Sequence, residues 1–564
     1  MKINKYFNLF SVAALALSMA VTLPSCKNDK FSYDPYWLDG PEEEEQDPLD
    51  PERPDEPEYA FPVMSKNVSV SLNTRYQTLD GIGASDCWLP NQIGKYWTAQ
   101  RGKIAELLFS QDINNGSPKG IGLSTWRVNL GAGTEELGAD SGIDEDNKNN
   151  RAPSYVTVGS TASNMTYDWN KCEGQRYFME QAKNMGVESF VMFSNSPLVQ
   201  FTKNGKGKSN AGANANLKDD YYDDFADYMA TVAKHFEDQG YNISHISPVN
   251  EPQYNWNGSN QEGSGWKNTQ VARIATELDK ALEAKGSKAL ISLGEAGHWE
   301  AAVQNDDSRE NTIARFMDPN SDAYVGNLKH LDNISGHSYY TDGNWNDMRN
   351  MRQRVYDRAN QYGAKIWQTE WSMLVNGPNH YGDILDKANP FDIAQWMCAV
   401  IHNDFTVAGV TAWHFWTAMS VERWSQMDRF MLINCTAAGG QYDNDFTQEG
   451  TVEDFRTLWA LGNYSLFVRP GYQRIDLKMI ESENFFGDAW ISPDGKTVVC
   501  VYTNRQKERG VRLKLSYGGW DGEVESIWCY TTTQTKNLQG NQWDPQFPVV
   551  LEPYSVSTVV YKLK

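Results

Sequence analysis

The chain has 564 residues, 40% hydrophobic and 22% charged, with 51 lysines and arginines against 73 acids for a formal charge of −22. That length exceeds one average core, yet a single barrel domain can use most of it. Nothing basic is clustered, which argues against a nucleic-acid partner.

The first element is a leader. Lys2 and Lys5 precede an uncharged apolar stretch from Tyr6 to Ser25, and the stretch ends in "LPSC" at Cys26. About 20 apolar residues could just span a bilayer. The short apolar core and the small residues before the cut fit a secretory signal better. The cysteine resembles that of a bacterial lipoprotein lipobox, with Pro24 where a small residue is usual. That resemblance implies a signal peptide over 1–25 and an acylated Cys26. It also implies export across the inner membrane and a lipid anchor in the outer membrane, facing the cell surface or the periplasm. The next segment is a tether. Residues 34–58 hold twelve acids against Arg53 alone, a net of −11, together with six prolines. Such a stretch buries too little apolar surface to fold, so 26–60 reads as an extended, self-repelling linker. The membrane is then met through the lipid alone.

A strand-like run, "NVSVSLNTRYQ", lies within 61–78 and has no partner nearby. From residue 79 short β-prone runs alternate with amphipathic segments. The runs cover 79–85, 124–131, 189–196, 245–251, 289–297, 333–340, 365–372 and 409–416. Between them stand helix patterns such as "YYDDFADYMATVAKHFEDQG" and "KNTQVARIATELDKALEAKG", each closed by glycine. The eighth helix falls in "EDFRTLWALGNYS". Eight strand-then-helix units predict an α/β fold, a (β/α)8 TIM barrel over 79–465. Residues 466–564 change character, with "TVVCVYT", "VRLKLSY", "VESIWCY" and "SVSTVVYKL" separated by turn signals. They predict a C-terminal side β-sandwich, which the orphan strand at 61–78 joins.

Metal and nucleotide chemistry find no support. Cys87, Cys172, Cys398, Cys435, Cys500 and Cys529 form no CxxC pair. Cys500 and Cys529 lie in neighbouring β-rich segments and either pair or remain buried thiols. The eight histidines form no HExxH motif, and "GIGAS" lacks the third glycine of a dinucleotide loop. No metal and no cofactor are expected, and the chain is expected to act as a monomer.

Chemistry in such barrels sits at the C-terminal ends of strands. Glu251 in "HISPVNEPQYNW" ends the fourth run and Glu370 in "IWQTEWS" ends the seventh. One isolated acid there is most simply an ion pair. Two acids facing one mouth match retaining glycoside hydrolysis, which needs carboxyls about 5–5.5 Å apart.

The residues also carry a family resemblance. "LDGIGASDCW", "WRVNLGAG", "FSNSPLVQFTKNG", "PVNEPQYNW", "GHSYY", "QTEWSM" and "LGNYSLFVRPGY" are similar to the motifs of glycoside hydrolase family 30. The stretches around "GASDCW" and "SNSPLVQFTKNG" resemble its endo-β-1,6-galactanase branch. The resemblance implies Glu251 as acid/base, with its pKa raised, and Glu370 as nucleophile, held charged by hydrogen-bond donors. It gives Asn250 the sugar 2-hydroxyl and makes Arg127, at the second strand's end, a fixed donor to Glu370. His337 and Tyr339 flank the nucleophile, and Trp88, Trp413 and Trp416 are sugar-stacking candidates. For each of these the competing reading is a satisfied core residue. The expected substrate is a polysaccharide or oligosaccharide, foremost β-1,6-linked galactan. The alternatives are β-1,6-glucan or xylan hydrolysis, or a non-catalytic glycan-capture lipoprotein.

Overall fold

The computed structural model of the protein describes residues 57–564 apart from 158, 162, 305–307, 375–388 and 424–428. The leader, Cys26 and nearly all of the acidic tether therefore lie outside the described residues.

After strand β1 (Val63–Thr78) come eight short strands: β2 (Gly81–Ser85), β3 (Thr125–Asn129), β4 (Ser189–Phe193) and β5 (Ile243–Ser247), then β6 (Leu290–Ala296), β7 (Leu331–His337), β8 (Ile366–Glu370) and β9 (Ala412–Phe415). These eight close into a barrel in chain order, each parallel to its neighbours. Every residue of β2, β3, β8 and β9 is buried. That is what a parallel strand sheathed by helices requires.

The principal barrel helices are α1 (Arg101–Phe109), α2 (Glu173–Asn184), α3 (Tyr222–Asp238), α4 (Asn268–Lys285), α5 (Thr312–Met317), α6 (Trp345–Tyr362), α7 (Pro390–Asn403) and α8 (Arg456–Ser465). Helix α3 shows why the periodicity was readable. Phe225, Met229, Val232, Ala233 and Phe236 are buried at helical spacing against the barrel. Gly286 ends α4 at φ +62°, a left-handed cap that glycine adopts without strain. Helix α8 begins at Arg456, because Thr451–Asp454 pairs as a strand with Ile433–Thr436.

The rest of the chain is β10 (Gln473–Lys478), β11 (Phe485–Ile491), β12 (Thr497–Asn504), β13 (Gly510–Gly518), β14 (Val524–Thr532), β15 (Gln539–Trp543), β16 (Val550–Leu551) and β17 (Ser555–Leu563). With β1 they form one nine-stranded sheet in the order β15-β14-β17-β12-β11-β10-β1-β13-β16. The sheet doubles over a shared core to make the side sandwich. Trp520, just after β13, contacts Tyr517 of β13 at 4.5 Å and Tyr561 of β17 at 6.4 Å between ring centroids. The orphan strand finds its partners here, antiparallel to β10 and parallel to β13. Polar contacts dock the sheet on the barrel. Asn463 of α8 donates to Thr532 at 2.7 Å, and Gln395 of α7 donates to the Asn504 carbonyl at 2.9 Å.

All six described cysteines are free and buried. Cys500 and Cys529 both lie opposite Val559, on the two strands flanking β17. Two strand spacings amount to about 9.6 Å, beyond the reach of a disulfide.

Candidate active site

The C-terminal mouth of the barrel gathers a buried ionic cluster. Glu370 is the last residue of β8, as its run predicts. Glu251 is not in a strand. β5 stops at Ser247, and Glu251 stands on the following loop at φ +41°. The tip must turn there to aim the carboxyl inward, and a bulky residue at left-handed φ is strained. Its N–H donates to the Glu295 carbonyl at 3.0 Å, which pins the turn to β6. Arg127 corrects a second expectation. It is the middle residue of β3, wholly buried, and projects into the barrel rather than capping the strand.

Arg127 spans two acids. Its Nη1 donates to Glu370 Oε1 at 2.6 Å and its Nη2 to Glu295 Oε2 at 3.2 Å. The guanidinium also lies 3.6 Å from the centre of the Phe193 ring. Tyr339 donates its hydroxyl to Glu370 Oε2 at 3.2 Å. His337 sits between three carboxylates: Nδ1 is 3.1 Å from Glu251 Oε1 and 3.6 Å from Glu370 Oε2, and Nε2 is 2.9 Å from Glu295 Oε2. Thr369 donates to Glu295 Oε2 at 2.6 Å.

The electrostatics follow from these contacts. Burial disfavours a charge on His337, but the Glu370 charge and the hydrogen bonds to Glu251 and Glu295 outweigh it and push its pKa up to about 10. Both ring nitrogens then donate. Burial also opposes ionisation of Glu295, yet Arg127 and His337 overcome it and bring it down to about 2. Glu251 moves the other way. Burial raises its pKa, the charges of Glu370 and Glu295 add to the rise, and the His337 contact only partly offsets it. Two cations face three carboxyl groups, so a proton held on Glu251 balances the set. Glu251 is also the most open of the three, its side chain 12% exposed against 4% for Glu370 and 0% for Glu295.

Asn250 is buried beside Glu251, and its Oδ1 has no hydrogen-bond partner among the described residues, so it remains available to a ligand. Trp88 and Trp416 are half-buried at the mouth, edge to face at 6.2 Å, with Phe193 6.4 Å from Trp416. Trp413 is no platform. Along β9 the side chains alternate, and His414 faces Gly83 and the charged barrel interior. Trp413 therefore points outward, is 0% exposed, and donates to Asp404 at 2.9 Å in the barrel wall.

Glu295 is the residue that sequence reasoning missed. It ends the run "ALISLGEAG" as Glu370 ends its own run, so the same rule pointed to it. Its glycine and alanine neighbours gave no aromatic signal. Like Glu251 it holds a left-handed φ, +42°. Ligand atoms of Glu251, His337 and Glu370 lie within 4.8 Å of one another. A metal fits this set poorly, because Arg127 and the protonated His337 already supply the positive charge.

A closed βα barrel with carboxyls converging at its C-terminal mouth defines a barrel glycoside hydrolase. The chain belongs to O-glycosyl hydrolase family 30, whose sequence profile matches residues 65–430. It is 24% identical over 374 residues to an endo-beta-1,6-galactanase of Hypocrea rufa, covering 63% of this chain and 68% of that one. Among solved structures, a conserved exported protein from Bacteroides fragilis is 29% identical, with a TM-score of 0.79 over 88% of this chain and 100% of that one. The catalytic domain of xylanase C from Talaromyces cellulolyticus shares the fold at 19% identity and a TM-score of 0.63, over 88% of this chain and 100% of that one. The protein is a glycoside hydrolase, and its substrate is a carbohydrate.

Proposed function

We propose that the protein is a retaining endo-glycosidase that hydrolyses β-1,6-linked galactan side chains of plant-type polysaccharide. Glu370 is the nucleophile and Glu251 the acid/base. The observation that carries this reading is the spacing: one carboxylate oxygen of Glu251 lies within 4.8 Å of one of Glu370. Retaining enzymes need a short separation, whereas inverting ones leave about 6.5–9.5 Å for a water.

In the first step Glu370 attacks the anomeric carbon and Glu251 gives its proton to the departing glycosidic oxygen. Arg127 and Tyr339 hold Glu370 in line, and the raised pKa of Glu251 keeps the proton on it until the bond breaks. In the second step Glu251, now a carboxylate, takes a proton from water, and the hydroxyl displaces Glu370 with net retention. Asn250 hydrogen-bonds the sugar 2-hydroxyl, with its Oδ1, unpartnered among the described residues, open to that group. Galactan is favoured over glucan and xylan by the similarity to the Hypocrea rufa galactanase, whose match covers 63% of this chain.

The catalytic barrel is taken as 79–465 and the side sandwich as 61–78 with 466–564. We place the enzyme outside the inner membrane as a monomer tethered through Cys26, and Cys26→Ala is expected to move it out of the membrane fraction. Incubation with β-1,6-galactan, β-1,6-glucan and xylan tests the substrate. Short oligosaccharides released from galactan, with the β-anomer first seen by NMR, are expected. Retention of galactan without release would mean a binding protein instead.

A further inference from the structure

The barrel mouth carries aromatic groups on two opposite rims. Trp88 follows β2 and Trp416 follows β9, and those strands are neighbours in the closed barrel. Across the mouth, the loops after β5, β6 and β7 supply Tyr254, His298 and Tyr340. Glu251 belongs to this second rim.

Tyr340 is 45% exposed and holds φ +60°. Its ring lies 6.2 Å from Tyr339 and 6.3 Å from His298, and its hydroxyl lies beside that of Tyr254. Tyr254 and Glu251 press on the same glycine. A Cβ at Gly297 would sit 2.7 Å from the Tyr254 ring and 3.4 Å from the Glu251 carboxyl carbon. Trp256 supports both, packing on Tyr254 at 6.0 Å and donating its indole N–H to the Glu251 carbonyl at 3.2 Å. Tyr340 therefore combines a strained backbone with a ring left nearly half exposed, next to the loop that carries Glu251. An open aromatic face there suits a ligand that arrives beside Glu251.

We propose that Tyr340, backed by Tyr254, is the stacking platform for the sugar on the leaving-group side of the scissile bond, while Trp88 and Trp416 receive the sugars on the other side. This rests on the reading of Glu251 as proton donor. The donor faces the glycosidic oxygen, so the leaving sugar departs past Glu251 and over the loops after β5, β6 and β7. The ligand is a pyranose ring laid with its C–H face on the tyrosine.

The test compares an oligosaccharide with the glycosyl fluoride of the same sugar, because fluoride leaves without occupying the platform. The pair is drawn from whichever glycan the wild-type protein cleaves, so an error in the sugar does not sink the inference. Tyr340→Ala should lower the ratio of kcat/KM on the oligosaccharide to that on the fluoride by about tenfold. Tyr340→Phe keeps the ring and should hold the ratio within about twofold of wild type. An unchanged ratio in Tyr340→Ala overturns the proposal. So does an equal fall in kcat on the fluoride, which still needs Glu251 to activate water and would mean that Glu251 had moved. The acid/base assignment is read separately from Glu251→Ala, whose kcat/KM should fall far more on the oligosaccharide than on the fluoride.

Discussion

The barrel mouth and the side sheet bury opposite things. The side sheet buries Val68, Val70, Ile475, Val498, Cys500, Leu513 and Val559 on one continuous apolar face. The mouth buries Arg127, Glu295, His337 and Glu370 almost completely. Apolar burial of the first kind stabilises at about 25 cal/mol per Å². A buried ion cluster of the second kind returns little net stability, since desolvation consumes most of the Coulombic gain. Glu295 and the neighbouring Glu251 also hold left-handed backbone. One region holds the fold together. The other is retained for what it does.

That contrast predicts substitutions that separate activity from stability. The largest effect on activity belongs to Glu370→Ala, which should lower kcat by at least about 10⁴-fold while the protein still unfolds in one cooperative transition. Loss of that transition together with activity would place Glu370 in the structural class instead.

Glu295→Gln comes next, because Glu295 Oε2 accepts from both Arg127 and His337. With both positioned groups loosened, kcat should fall about 10²-fold. Its pH profile carries a second readout. Removing that charge relieves the repulsion that raises the pKa of Glu251, so the alkaline loss of kcat/KM should move to lower pH. A linked change follows in stability. The pKa of His337 is raised from 6.5 to about 10 on folding, so its contribution is complete below about 6.5 and is lost as pH rises through about 10. In Glu295→Gln the loss should still begin above about 6.5 but be complete at lower pH than in wild type. Alkaline limbs that coincide with wild type in both measurements would remove Glu295 from the account.

The smallest effect on activity is expected in the sheet. Leu513→Ala opens a cavity in the apolar core and should destabilise by about 2–5 kcal/mol. The kcat/KM of the folded fraction should stay within about twofold of wild type, measured well below the midpoint of unfolding. A tenfold loss in kcat/KM would show that the sheet shapes the mouth.

Much of this was legible in the chain. The β-prone runs and helical periodicities mark the barrel because a parallel strand buried on both faces and an amphipathic helix leave distinct patterns. The pairing of β1 was legible because a strand-like run with no near neighbour still needs partners for its backbone, and it has two, β10 and β13. The details that failed depend on geometry that composition does not carry. Glu251 was read as a strand end, but Ser247 ends β5 and the loop turns the carboxyl inward. Trp413 was read as facing sugar, but the alternation set by His414 turns it into the wall. Glu295 gave no signal beyond its position at the end of a run, and its importance comes from two partners distant in sequence.

The most direct test of the central claim is the stereochemistry of azide rescue. Glu251→Ala, given an accepted substrate with an activated leaving group, should form the glycosyl-enzyme on Glu370 and stall without a base. Azide needs no base, so it should restore turnover and yield a glycosyl azide of retained configuration. In Glu370→Ala azide attacks the opposite face directly and should give the inverted azide. If both variants gave the same anomer, or neither were rescued, Glu370 would not be the nucleophile and Glu251 would not be the acid/base.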